Sequence, residues 1–406
     1  MNIPSTLSLI LSSIALVACG ASRPHAAHPS SGPVVDMEEM HITAGEDAAG
    51  GLTFEATDAE QLFRQGIARV RSGDCAAAVL SYDRVASEFS GSRYASPALY
   101  NAGLCLTESG EFDAAVSHYD RLIRDLPRSP DVRDASFQLA ALDVRLERWD
   151  DATRLGRELL ARTDLTPDTR MEAMARLAQA QLGAGHVEDA ATQADEALRY
   201  FRTRSADHPV RDDYFVAATN YVLAETLRQR SEAIAIPLGT VAEVRPVLER
   251  RAQLLLRAQR AYFDTIGRTD PEWASAAGYR IGNMYDTFWQ ALTAAPVPPP
   301  PRPLEGVDLA YYQERYRAEL GQLVRPLLRH AVRYWELTLL MVERTGARSE
   351  WTARIREDLA RMRSRLGVTD PLPEPPSSEP ESSEPGVESP APAEPPPPIE
   401  SPSSAM

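Results

Sequence analysis

The sequence predicts an all-α body of stacked helix pairs, held between two flexible acidic arms. Three observations carry this reading. Similar helix–turn–helix segments recur about every 37 residues. Apolar residues keep a helical period through the middle of the chain. Both ends lose that period and fill with Pro, Ser, Gly and acids. The chain has 406 residues, 43% hydrophobic and 25% charged, enough to bury a core. It contains no lysine, which excludes P-loop lysines, Schiff-base lysines and Ser-Lys dyads. A formal charge of −15 argues against a nucleic-acid binder. The acids concentrate at residues 20–58 and 369–406, so the body between is nearly neutral and Arg-rich.

Residues 4–18, PSTLSLILSSIALVA, form an apolar run too short to span a bilayer comfortably, and it ends at Leu16-Val17-Ala18-Cys19. This resembles the lipobox of bacterial lipoproteins, although no Lys or Arg precedes the run. The resemblance implies cleavage before Cys19, a diacylglycerol on its thiol, and a mature chain moored by acyl chains. Gly20 rather than Asp after that cysteine implies, by the same resemblance, sorting to the periplasmic face of the outer membrane. Residues 20–58 read as a disordered acidic tether. His25, His28 and His41 lie there; the first two have H-x-x-H spacing, but no third ligand is placed with them, so no metal site is expected.

The repeats occupy residues 59–203. SGDCAAAVLSYDRVA, SGEFDAAVSHYDRLI, LERWDDATRLGRELL and GAGHVEDAATQADEAL align on Ala78, Ala115, Ala152 and Ala190, in steps of 37, 37 and 38 residues. Small residues recur in each first helix at Gly66, Gly103, Ala140 and Ala178, and are expected to face those alanines. Gly73, Gly110 and Gly185 suit left-handed caps. Glu147 stands in the third repeat's place, which implies a differently built turn. The pattern resembles the tetratricopeptide (TPR) repeat, a 34-residue helix–turn–helix, with extra loop residues. That resemblance implies a superhelix whose first helices line a concave groove for an extended peptide or an amphipathic helix. In its register the groove residues are Phe63, Ile67, Val70, Arg71, Tyr100, Leu104, Phe137 and Arg145, with Phe63, Tyr100 and Phe137 as an aromatic ladder.

Longer helices are expected near 213–235, 243–266, 271–293, 308–344 and 349–366, making 210–366 a degenerate extension of the repeat. Ala277, Gly278 and Ile281 are its close-packing positions, and Trp273, Tyr279, Tyr285, Phe288, Trp289, Tyr312 and Tyr334 its aromatic zone. Those rings read chiefly as core, and alternatively as a partner or glycan surface. Residues 367–406, rich in Pro, Ser and Glu, read as a disordered tail. Cys75 and Cys105 fall on helices that pack together, as a disulfide or as two buried thiols.

No motif assembles a nucleophile, base and oxyanion donor, and none holds a cofactor. The expectation is a non-catalytic scaffold, similar to exported TPR lipoproteins of Gram-negative bacteria, those of myxobacterial type among them. Such a scaffold holds an envelope protein of assembly, division or motility in its groove. The alternative is a protein that binds or acts on peptidoglycan glycan.

Overall fold

The structure, a computed structural model, describes residues 39–46, 50–204, 209–300, 306–346 and 349–367. Cys19, His25, His28, the apolar amino-terminal run and the acidic tail lie outside the described residues. The chain divides within one helix into two compact units, residues 1–135 and 136–406.

The first unit opens with an unexpected element. Within the stretch expected as a tether, β1 (Met40–Glu46) and β2 (Leu52–Asp58) pair antiparallel, Ile42 with Ala56 and Ala44 with Phe54. The alternation that makes the strands is Met40, Ile42, Ala44 against His41, Thr43, Gly45. It is short and interrupted by Gly and Thr, so acidity and small residues conceal it. His41, from the polar face, sits with its ring 4.4 Å from that of Phe89.

Four helices follow: α1 (Ala59–Arg71), α2 (Cys75–Glu88), α3 (Ala95–Glu108) and α4 (Phe112–Asp125). Asp58 and Asp74 cap α1 and α2, each accepting a backbone N–H three residues on. Ala59, Leu62, Ala78, Tyr82, Val85, Ala98, Ala102 and Cys105 form one buried cluster. At the two glycine positions the close neighbour is a tyrosine of the second helix. A Cβ on Gly66 would stand 2.4 Å from the Tyr82 ring, and one on Gly103 would stand 2.5 Å from that of Tyr119. Each second helix thus lays a fully buried tyrosine over the bare backbone of its first helix.

The second unit holds the remainder of α5 (Val132–Arg145), then α6 (Trp149–Leu160), α7 (Pro167–Gly183) and α8 (Val187–Thr203). Here the close contacts join the second helix of one repeat to the first helix of the next. Gly156 of α6 lies under Leu177 of α7, and Gly183 of α7 lies under the Trp149 ring of α6. The longer α9 (Asp213–Glu232), α10 (Val241–Ile266) and α11 (Pro271–Thr293) follow. Buried Glu225 ties these three together. It accepts from Tyr262 Oη at 2.5 Å, and its carboxylate pairs with Arg228 at 2.8 Å and Arg280 at 3.1 Å. The expected single helix 308–344 is two, α12 (Val307–Leu323) and α13 (Arg325–Thr345). The break falls just before Pro326, which has no N–H for a continuing ladder and disfavours a helical residue ahead of it. The close-packing role expected of Gly278 holds, for a Cβ there would meet Thr338 at 2.2 Å, and Gly282 lies under the Trp335 indole. Trp335 Nε1 donates to the Tyr279 carbonyl at 3.0 Å, and α14 (Trp351–Leu366) closes this end of the unit.

The third repeat turn corrects the sequence reading. Gly73, Gly110 and Gly185 adopt φ of 78°, 81° and 80°, and Glu147 adopts 58° in the same place. The same carbonyls are satisfied in all four turns: Asp74 N donates to Arg69 O, Glu111 N to Leu106 O, Arg148 N to Asp143 O and His186 N to Gln181 O. The turn is therefore not rebuilt, and a residue with a Cβ bears the left-handed strain of about 1–2 kcal/mol. Glu147→Gly is expected to stabilise the protein by about 0.5–1 kcal/mol, the gain being trimmed by glycine's unfolded-state freedom. Thermal melting by circular dichroism checks it, and an unchanged or lowered Tm would contradict the strain.

Candidate functional site

A concavity of about 310 Å³ lies in the first unit. Helix α1 contributes Ile67, Val70 and Arg71, and α3 contributes Asn101, Leu104, Cys105 and Glu108. These are one helical stripe from each of two adjacent first helices, brought together by the 37-residue step. Buried Tyr82 forms the floor. Burial pushes its phenol pKa up to about 12, so the floor is neutral at any physiological pH. The wall is aliphatic, and Arg71 and Glu108, at equivalent positions of successive repeats, put one positive and one negative charge at its edge. Ile67 and Leu104 are half-buried, whereas 40% of Val70 is exposed. The surface suits a short apolar segment with charges of both signs.

Four of the eight expected groove residues, Ile67, Val70, Arg71 and Leu104, meet here. Within the first unit the two expected ladder residues pack inward. Phe63 turns toward its own repeat, its ring 5.6 Å from Tyr82 and 5.3 Å from Tyr94, and Tyr100 lies 5.9 Å from Tyr119. Phe137, in the second unit, is only 7% exposed. The reason is that an aromatic ring gains about 2–3 kcal/mol from burial, and a second-helix tyrosine stands within reach of each fifth position in the first unit. Arg145 also belongs to the second unit, where its charge opposes the upward shift that burial, Asp270 and Glu350 impose on the Glu272 carboxyl. Asn101 was missed by sequence reasoning. Its one signal is a polar residue in the mostly apolar middle of α3, one turn before Cys105.

The two repeats that form the concavity are pinned together behind it. His118 of α4 places Nε2 2.8 Å from Asp83 Oδ1 of α2, and Nδ1 2.8 Å from the Ala114 carbonyl. Both neighbours accept, so both ring nitrogens donate, which requires the imidazolium. The bond to Asp83 accordingly raises the His118 pKa above 6.5, against the opposing effect of burial. Arg121 adds a bond of 2.8 Å to the Ala86 carbonyl. The aromatic zone of the second unit is likewise spent on packing. Tyr285 stacks on Tyr334, Tyr279 on Trp335, and the Arg365 guanidinium covers Trp289. The second unit has a further apolar concavity of about 350 Å³, between Leu248 of α10, Leu292 of α11 and Leu320 of α12. Among the described residues, no three His, Cys, Asp or Glu side chains group as metal ligands, and no helix is long and apolar enough to cross a membrane.

Because the folded pKa of His118 is raised, its contribution to stability is full below about pH 6.5 and fades as pH climbs through the folded value. Asp83 is 44% exposed on its side chain, which limits the ion pair to about 0.5–1 kcal/mol. The Tm gap between the wild type and His118→Gln is expected to be wider at pH 5.5 than at pH 8.5. A gap independent of pH would show that the joint is not ionic.

The tetratricopeptide repeat family model matches residues 63–131. No curated protein matches the sequence. Among solved structures, MamA from Desulfovibrio magneticus is 15% identical over 50% of this chain and 96% of its own, with a TM-score of 0.34. YrrB, described as a TPR protein with an unusual peptide-binding site, is 15% identical over 50% of this chain and 91% of its own, with a TM-score of 0.34. A tetratricopeptide repeat protein from Parabacteroides merdae is 14% identical over 75% of this chain and 98% of its own, with a TM-score of 0.36. At these scores the likenesses say nothing of shared function. The matched segment, residues 63–131, takes in most of the paired helices α1–α2 and α3–α4, and over that segment the chain is similar to tetratricopeptide repeats.

Proposed function

We propose that the protein is a non-catalytic scaffold that holds a protein partner in the concavity between α1 and α3. The observation that carries this reading is an aliphatic hollow edged by Arg71 and Glu108 on successive first helices. Such a hollow desolvates two or three apolar side chains of a peptide or helix, and its opposed charges fix the direction in which that segment lies.

The lipobox-like Leu16-Val17-Ala18-Cys19 supports a finer reading, with Cys19 lipidated, the chain moored to the periplasmic face of the outer membrane, and an envelope protein as partner. No observation favours the glycan alternative, whose expected ring platform is occupied by packing between helices. Affinity purification with mass spectrometry is the test. Leu104→Glu should reduce capture of the main partner at least tenfold while far-ultraviolet circular dichroism stays unchanged, since one buried-contact loss of about 1.4 kcal/mol is a factor of ten. Undiminished capture would remove the hollow from the account. Labelled palmitate should enter the wild type and not Cys19→Ala, and label retained by the variant would overturn the anchor alone.

A further inference from the structure

We infer that Cys75 and Cys105 are a disulfide site that covalently joins the first repeat to the second. Cys75 opens α2 and Cys105 lies on α3, so the bond would cross from the second helix of one repeat to the first helix of the next. Their Sγ atoms are 2.7 Å apart, closer than unbonded sulfurs ordinarily pack, and a further approach of about 0.7 Å reaches bonding distance. Thirty residues separate them in sequence, so this proximity is a product of the fold and not of a local turn.

The two sulfurs differ in access. Cys75 is half-buried, and Cys105 is buried against the floor of the hollow. Burial, with Cys75 beside it, pushes the Cys105 thiol up to about 12, so Cys105 stays protonated until a partner reaches it. Cys75 is therefore the sulfur that an external disulfide meets first. Its thiolate attacks one sulfur of that oxidant, forming a mixed disulfide and releasing one thiol. Cys105 then gives up its proton and attacks the Cys75 sulfur, expelling the second thiol. The protein loses two hydrogens, and the oxidant, a low-molecular-weight or protein disulfide, is reduced to two thiols. The new bond anchors α3 to the first turn of α2, at one end of the hollow. It stands independently of what the hollow binds.

The test uses the full chain equilibrated with oxidised glutathione, alkylated without reduction and cut with trypsin. The chain has no lysine, so trypsin cleaves only at arginine and gives Ser72–Arg84 and Tyr94–Arg121 as the two cysteine peptides. They are expected as one linked species, separated by reductant, and the oxidised protein is expected to melt about 5 °C or more above the reduced one. Cys75→Ser should keep its helicity and lose both the linked species and the Tm rise. Recovery of the two peptides as separately alkylated thiols would overturn the inference, as would a glutathione adduct that stays on Cys75.

Discussion

The first unit depends on a single kind of contact, a second-helix tyrosine ring seated on the missing side chain of a first-helix glycine. Tyr82 over Gly66 and Tyr119 over Gly103 bring each pair of helix axes close enough for Ala78, Ala98, Ala102 and Ala115 to be fully buried. A helix pair that closes this tightly still leaves one apolar flank unburied, and the next pair covers it. The hollow is a by-product of that stacking. Once the rings are drawn inward, the stripe Ile67, Val70 and Leu104 is what remains facing out between successive first helices.

The second unit reaches the same closeness with other residues. Leu177 on Gly156, Trp149 on Gly183, Thr338 on Gly278 and Trp335 on Gly282 are all knobs on bare backbone. The knobs are larger or branched and the helices longer, and buried charge enters the interior at Glu225. A carboxylate so placed is tolerated because Tyr262 and two arginines satisfy it. It fixes the rotation of α9 against α10 and α11, which an all-alanine seam would leave less determined.

Much of this was legible in the sequence because the repeat is a steric code. Gly66, Gly103 and the alanines recur at fixed distances, and the turn positions recur with them. What escaped has physical reasons. The hairpin at 40–58 has alternation too brief to stand out from an acidic, small-residue background. Glu147 shows that a repeated turn can keep its hydrogen bonds while bearing strain, so a missing glycine did not signal a different turn. Helical register assigns a face but not a direction within it. Phe63 and Tyr100 sit at the groove edge and pack inward, toward Tyr82 and Tyr119. The joint His118–Asp83 joins residues 35 apart, on the second helices of successive repeats, and a search for motifs within a single repeat passes over it.

The most direct measurement of the central contact is the stability of Gly66→Ala, because two effects of opposite sign compete there. An exposed helical glycine gains about 1 kcal/mol on becoming alanine. Under Tyr82 the added methyl has no room, and the account predicts a net loss of about 1–3 kcal/mol in denaturant unfolding. A variant as stable as the wild type, or more so, would contradict it.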